Sequence, residues 1–126
     1  MIISESKKDP YLTEISNEDA LVFSDVTREK GGSGKHFKPF DLLCAGYASC
    51  LNITTRMVLQ KMNIEYEKVI IKINLNNNDE EKAIFEYDIE IIGNIDDETK
   101  AAVIAKAEKC PVRKTLAKQI EFNRAK

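Results

Sequence analysis

The chain has 126 residues, the size of one ordinary domain with room for a modest core, so a single domain over 1–126 is expected. A formal charge of −2 offers no broad positive field for a phosphate backbone and argues against nucleic acid as a main partner. With 43% hydrophobic and 32% charged residues and no apolar run near the roughly 20 residues that span a bilayer, a soluble protein with no membrane partner is expected.

Met1 to Pro10, MIISESKKDP, lacks the apolar stretch of a secretory signal, which places the expected location in the cytoplasm. In that reducing compartment Cys44, Cys50 and Cys110 read as thiols rather than structural bridges. Tyr11 to Ile15 and Ala20 to Phe23 are short β-prone pieces separated by the turn-forming Ser16-Asn17-Glu18-Asp19, and together they predict a hairpin. Asp25 to Lys38 is a charged, glycine-rich loop. Its Gly31-Gly32-Ser33-Gly34-Lys35 resembles a phosphate cradle, but that pattern needs glycine where Glu29 stands and Ser or Thr where His36 stands, so the cradle is rejected.

Pro39 to about Met62 predicts a long helix, with proline in its first turn and Asp41 matching its positive end. Leu42 to Leu51, LLCAGYASCL, is apolar or small on every face. Burying such a helix all round is hard for one small domain, so a second copy of the chain is expected to cover part of it. Val69, Ile71, Ile73 and Leu75 alternate with polar residues, as do Ala83, Phe85, Tyr87, Ile89 and Ile91, which predicts an antiparallel hairpin with one wet face. Asp96-Asp97-Glu98 opens a second helix carrying Val103, Ala107 and Cys110 at helical spacing. Pro111 then starts a third helix with Cys110 as its cap, and Ile120 to Phe122 reads as a short edge strand. The fold class is α+β.

Taken alone, Cys50 in the middle of an apolar helix reads as a small hydrophobe, and a mid-helix thiol gains little from the dipole. Cys110 at a helix start faces open amides that stabilise a thiolate. Cys44 lies six residues before Cys50, on another side of the helix, and reads as packing. His36, the single histidine, sits in the glycine-rich loop, where an exposed role competes with a cysteine-hydrolase role. Without CxxC spacing or further histidines no metal site is expected. Tyr47 and Met57 read first as core residues.

Pro39-Phe40-Asp41-Leu42-Leu43 leading to Ala45-Gly46-Tyr47-Ala48-Ser49-Cys50, followed in order by Cys110-Pro111-Val112, resembles the OsmC/Ohr superfamily (osmotically induced protein C and organic hydroperoxide resistance) over roughly residues 31–122. The resemblance implies an OsmC-like fold: antiparallel sheets wrapped around long central helices in an intertwined homodimer. It implies that Cys50 attacks a peroxide oxygen, that Cys110 resolves the sulfenic acid as a disulfide, and that a small or protein dithiol restores both, with no metal or flavin cofactor. Members with strong hydroperoxidase activity carry an arginine in the N-terminal strands. Here the first arginine is Arg28, in the loop, and Asp41 stands near the place of the carboxylate that holds it. Arg113, just after the second motif, is an alternative cation or a solvated surface residue. Leu43, Tyr47 and Met57 near the thiol would favour an organic hydroperoxide as substrate. The competing function is a noncatalytic binding or redox-sensing protein that keeps fold and thiols but lacks the placed arginine.

Overall fold

The computed structural model describes residues 1–125, and the backbone falls into two compact units, Met1–Leu43 and the chain from Cys44 onward. The first unit is a three-stranded antiparallel sheet in the order β1 (Ile3–Ser6), β2 (Thr13–Ser16), β3 (Leu21–Ser24). The expected hairpin is β2–β3, with Ser16 opposite Leu21. Its turn is built by Asn17, whose side-chain oxygen accepts from the amides of Asp19 and Ala20 at 2.9 and 2.8 Å. Strand β1 was not anticipated, because every residue in it is exposed and it carries no inward apolar stripe. The backbone ladder, Ile3 opposite Ser16 through Ser6 opposite Thr13, holds it, and ion pairs of Met1 with Glu18 and Lys7 with Glu14 flank its ends.

Loop 25–38 is not loose. Asp25 is buried, 3% exposed, and its carboxylate accepts from Val26 N at 2.7 Å, Ser33 N at 3.0 Å and Ser33 Oγ at 2.7 Å. Those bonds, the Ser33 hydroxyl foremost, hold the Asp25 carboxyl below its ordinary range. A single turn of 3₁₀ helix at Arg28–Lys30 ends at Gly31, whose φ of 99° suits a residue without Cβ.

Helix α1 (Pro39–Lys61) begins where Asp41 Oδ2 accepts from the Lys38 amide at 2.9 Å, a carboxylate at the third helical position reaching back to the residue before the helix. It ends at Asn63, held at φ 56°, a left-handed stop that asparagine tolerates. Tyr47, Leu51, Thr55 and Leu59 form its buried stripe. The all-round burial expected from its composition is absent within one chain: Phe40, Leu43, Ile53 and Met57 are 59, 45, 42 and 62% exposed. The expectation that no segment comes near membrane-spanning length is also corrected, since this 23-residue helix is long and apolar enough. It nevertheless sends its stripe into a protein core with Val69, Ile89, Ile91, Val103 and Cys110.

The second unit adds the hairpin β4 (Lys68–Asn76) and β5 (Ile84–Ile92), in register with Val69 opposite Ile91 and Ile73 opposite Tyr87. The predicted alternation puts Val69, Ile89 and Ile91 in the core and leaves Lys72, Glu86 and Glu90 in water. Helix α2 (Asp97–Ala107) is capped by Asp96, whose side chain accepts from Thr99 N at 2.7 Å. Helix α3 (Pro111–Leu116) follows with Cys110 as N-cap. One helix is therefore long and two are short. The expected strand at Ile120–Phe122 does not form; Ile120 and Phe122 are 54 and 92% exposed, and an edge strand needs a neighbouring ladder to join.

Candidate active site

Two cysteines sixty residues apart in sequence meet in the second unit. Cys50 projects from the middle of α1, half-buried, and its sulfur lies 3.9 Å from Thr54 Oγ1. Cys110, at the α2–α3 junction, is fully buried in the core cluster against which Cys50 packs. Both are unbridged thiols, packed with Tyr47, Leu51 and Val103. The sequence placed Cys110 at a helix start, where the amides of Arg113 and Val112 do favour its thiolate. Burial outweighs them, and with the neighbouring Cys50 thiol it pushes the Cys110 thiol up. The junction therefore stores a proton on Cys110 rather than a charge, opposite to the direction that helix position alone suggested.

Tyr47 is 3% exposed, one helical turn before Cys50. Its ring meets Phe85 edge-on at 5.6 Å and Tyr87 at 5.9 Å. Tyr87, on the inward face of β5, donates its hydroxyl to the Glu108 carboxylate. The same oxygen accepts from Arg113 Nη1 at 3.1 Å, while the Arg113 guanidinium lies 5.9 Å from the Tyr87 ring centroid and reaches the Glu108 carbonyl at 3.4 Å. Burial raises both phenols above their ordinary range, and the bond to Tyr87 raises Arg113 further. Sequence reasoning missed Tyr87 and Glu108. The usable signal was a hydroxyl on the buried face of a strand, which must find a partner.

The remaining predicted residues have other surroundings. Arg28 Nε donates to the Ser33 carbonyl at 3.2 Å, and Asp41 pairs with the Lys38 ammonium at 3.3 Å, so each is engaged within its own segment. The Lys38 amide holds the Asp41 carboxyl below its usual range. Leu43 and Met57, seven residues to either side of Cys50, share its side of α1, and both are exposed. The His36 ring meets Phe23 at 5.6 Å, tilted by 49°, in the first unit.

The family model for OsmC-like protein matches residues 32–124, a span that takes in both cysteine motifs. The chain belongs to the OsmC-like family. Among solved structures, it is similar to an osmotic stress induced and detoxification response protein from Psychrobacter arcticus 273-4, at 21% identity and a TM-score of 0.76 over 90% of this chain and 85% of that one. An organic hydroperoxide resistance protein OsmC from Legionella pneumophila matches at 24% identity and TM-score 0.65, over 93% of this chain and 88% of the other. A third, an organic hydroperoxide resistance protein from Elizabethkingia anophelis, matches at 18% identity and TM-score 0.68, over 96% and 91%. At these identities the likeness is one of fold: an α+β chain of antiparallel sheets and a central helix. No curated protein matches the sequence.

Proposed function

We propose that this OsmC-like protein is a thiol-dependent peroxidase of oxidative-stress defence, reducing organic hydroperoxides or hydrogen peroxide, with Cys50 peroxidatic and Cys110 resolving. The packing of both thiols in one apolar cluster, where Cys50 helps to push the Cys110 thiol up, carries this reading. The Cys50 thiolate attacks the outer peroxide oxygen, the O–O bond breaks, and an alkoxide leaves as Cys50 becomes a sulfenic acid. Cys110 then attacks the sulfenic sulfur, expelling water and closing a disulfide. A small or protein dithiol supplies two electrons and two protons to reopen it. Leu43, Tyr47 and Met57 would contribute apolar surface for an organic substrate. Arg28 and Asp41 enter the proposal as the cation and its carboxylate carried over from the family pattern.

The same reading makes the chain one OsmC-like domain, since α1 and the family match both run across the boundary between the two units. It works as a cytoplasmic homodimer, with the exposed Phe40, Leu43, Ile53 and Met57 as the surface a second copy covers. One observation favours the noncatalytic reading instead: Arg28 and Asp41 are each tied to neighbours in the N-terminal unit. The deciding measurement is cumene hydroperoxide consumption with a dithiol present. Wild type is expected to turn over, Cys50→Ser to be inert, and Cys110→Ser to stop at a sulfenic acid that can be trapped with a 1,3-diketone. Equal activity in wild type and Cys50→Ser rules the peroxidase out.

A further inference from the structure

Closing a disulfide requires what attack on a peroxide does not: two sulfur atoms carried by separate elements must come together. Cys50 belongs to the middle of a 23-residue helix whose Leu51 and Thr55 are fully buried, so its backbone is fixed. Cys110 belongs to the link between α2 and α3, and the six residues of α3 are exposed or half-buried. A helix that short is not stable by its own backbone bonds, so the place of Cys110 depends on what ties the link to the rest of the fold.

The Tyr87 phenol ties it from both sides. Its hydroxyl, on β5, donates to the carboxylate of Glu108, the residue that closes α2 two positions before Cys110. The same oxygen accepts at 3.1 Å from Nη1 of Arg113, three positions after Cys110 in α3. That Nη1 also reaches the Glu108 carbonyl at 3.4 Å, and the guanidinium lies 5.9 Å from the Tyr87 ring centroid. These contacts close a ring, and Cys110 and Pro111 lie on the stretch of chain it encloses. Val112 and Leu116 pack against the core as well, through apolar contacts that do not involve the phenol oxygen.

We propose that Tyr87 is a positioning residue for the resolving thiol, with Glu108 and Arg113 as its two arms, and that this clamp governs closure of Cys110 onto oxidised Cys50 rather than the attack on peroxide. The inference rests on the peroxidase reading. In the step concerned, the Cys110 sulfur bonds to the sulfenic sulfur of Cys50 and the S–O bond breaks. The hydroxide leaves as water with the Cys110 proton, and the two electrons have already gone to the peroxide. Loosening the link spreads the Cys110 thiol over more positions and lowers its effective concentration at Cys50.

The test separates the two steps in single turnover. One equivalent of cumene hydroperoxide is added, a 1,3-diketone quenches at intervals, and peptide mass mapping counts trapped Cys50 and the Cys50–Cys110 bridge. Tyr87→Phe keeps the ring beside Tyr47 and removes both hydroxyl bonds. It is expected to form the sulfenic acid within about twofold of the wild-type rate and to close the bridge about tenfold more slowly, the scale of one net hydrogen bond. Closure at the wild-type rate overturns the proposal, and so does an equal slowing of both steps, which marks a general loosening of the fold. Should Tyr87→Phe fold poorly, Glu108 gives an independent readout. Glu108→Gln still accepts from the phenol and is expected to close faster than Glu108→Leu; equal closure in the two overturns the proposal. Diamide, an azo oxidant that takes two electrons from a thiol pair without any peroxide, is expected to reveal the same closure deficit in Tyr87→Phe. A wild type that forms no sulfenic acid, yet closes with diamide at a rate that Tyr87→Phe slows, sinks the peroxidase reading and leaves the clamp standing.

Discussion

The loop that closes on Asp25 and the junction that holds Cys110 both enclose a titratable group, yet they do so by opposite means. Asp25 takes three hydrogen bonds from Val26 and Ser33, all supplied within eight residues of chain. Cys110 is enclosed by Cys50, Tyr47 and Val103, and Arg113 beside it is held by Tyr87 from β5, so its environment exists only once helices and hairpin have packed. The loop is a local clasp that keeps a charge, whereas the junction is a tertiary pocket that keeps a proton. A clasp made of neighbours resists distant perturbation, and a pocket made of distant parts is adjustable by any of them.

The largest expected effect tests that dependence. Leu51 is fully buried one residue after Cys50 and belongs to the core shared with Cys110. Leu51→Ala should cost about 2–5 kcal/mol in urea unfolding and alter Cys50 alkylation, while the Asp25 loop keeps its native amide exchange protection. Equal loss of protection in both regions would break the comparison. Next comes Gly32→Ala, where a Cβ would meet the Val26 carbonyl oxygen at 2.3 Å and Asp25 Oδ1 at 2.4 Å. About 1–3 kcal/mol of overpacking strain is expected, with exchange rising in 25–38 and Cys50 alkylation unchanged.

How much of this could be read from the chain follows the same division. The β4–β5 hairpin came from strict alternation, the α2 cap from Asp96, and the Cys110 cap from the proline after it, because each is written in residues a few positions apart. Strand β1 was hidden because a strand exposed along its whole length leaves no apolar side-chain period. The Tyr87, Glu108 and Arg113 network was hidden because its members are up to 26 residues apart and on three different elements. The direction of the Cys110 titration failed for a related reason: helix position is local, but the burial that overrides it is not.

Acid and alkali should separate the two regions. The Asp25 carboxyl is lowered, so its contribution is present above the ordinary carboxylate range near about 3.9 and lost as pH falls through its depressed folded value. The Cys110 thiol is raised, so its contribution is full below the ordinary thiol range near about 8.5 and lost as pH rises through its folded value. Thermal melts across pH should therefore show Asp25→Asn flattening only the acid limb and Cys110→Ala only the alkaline one. A Cys110→Ala variant with the wild-type alkaline slope would mean that the buried thiol contributes nothing to it.

The two arginines provide the finest discrimination. Arg28 is exposed and its Nε bond ends on the Ser33 carbonyl of a loop that Asp25 already holds, so Arg28→Ala should change stability by no more than about 0.5 kcal/mol. Arg113 is also exposed by area, yet it lies over one aromatic ring and bonds both a phenol and a carbonyl from other elements. Removing it should cost about 1 kcal/mol and leave Tyr87 with Glu108 alone. The useful observable is the difference between the two variants in the same denaturant series, because unfolded-state effects of losing one exposed arginine largely cancel. If Arg28→Ala proves the costlier, the loop leans on its cation as well as on Asp25, and the division between a self-sufficient clasp and a recruited pocket does not hold.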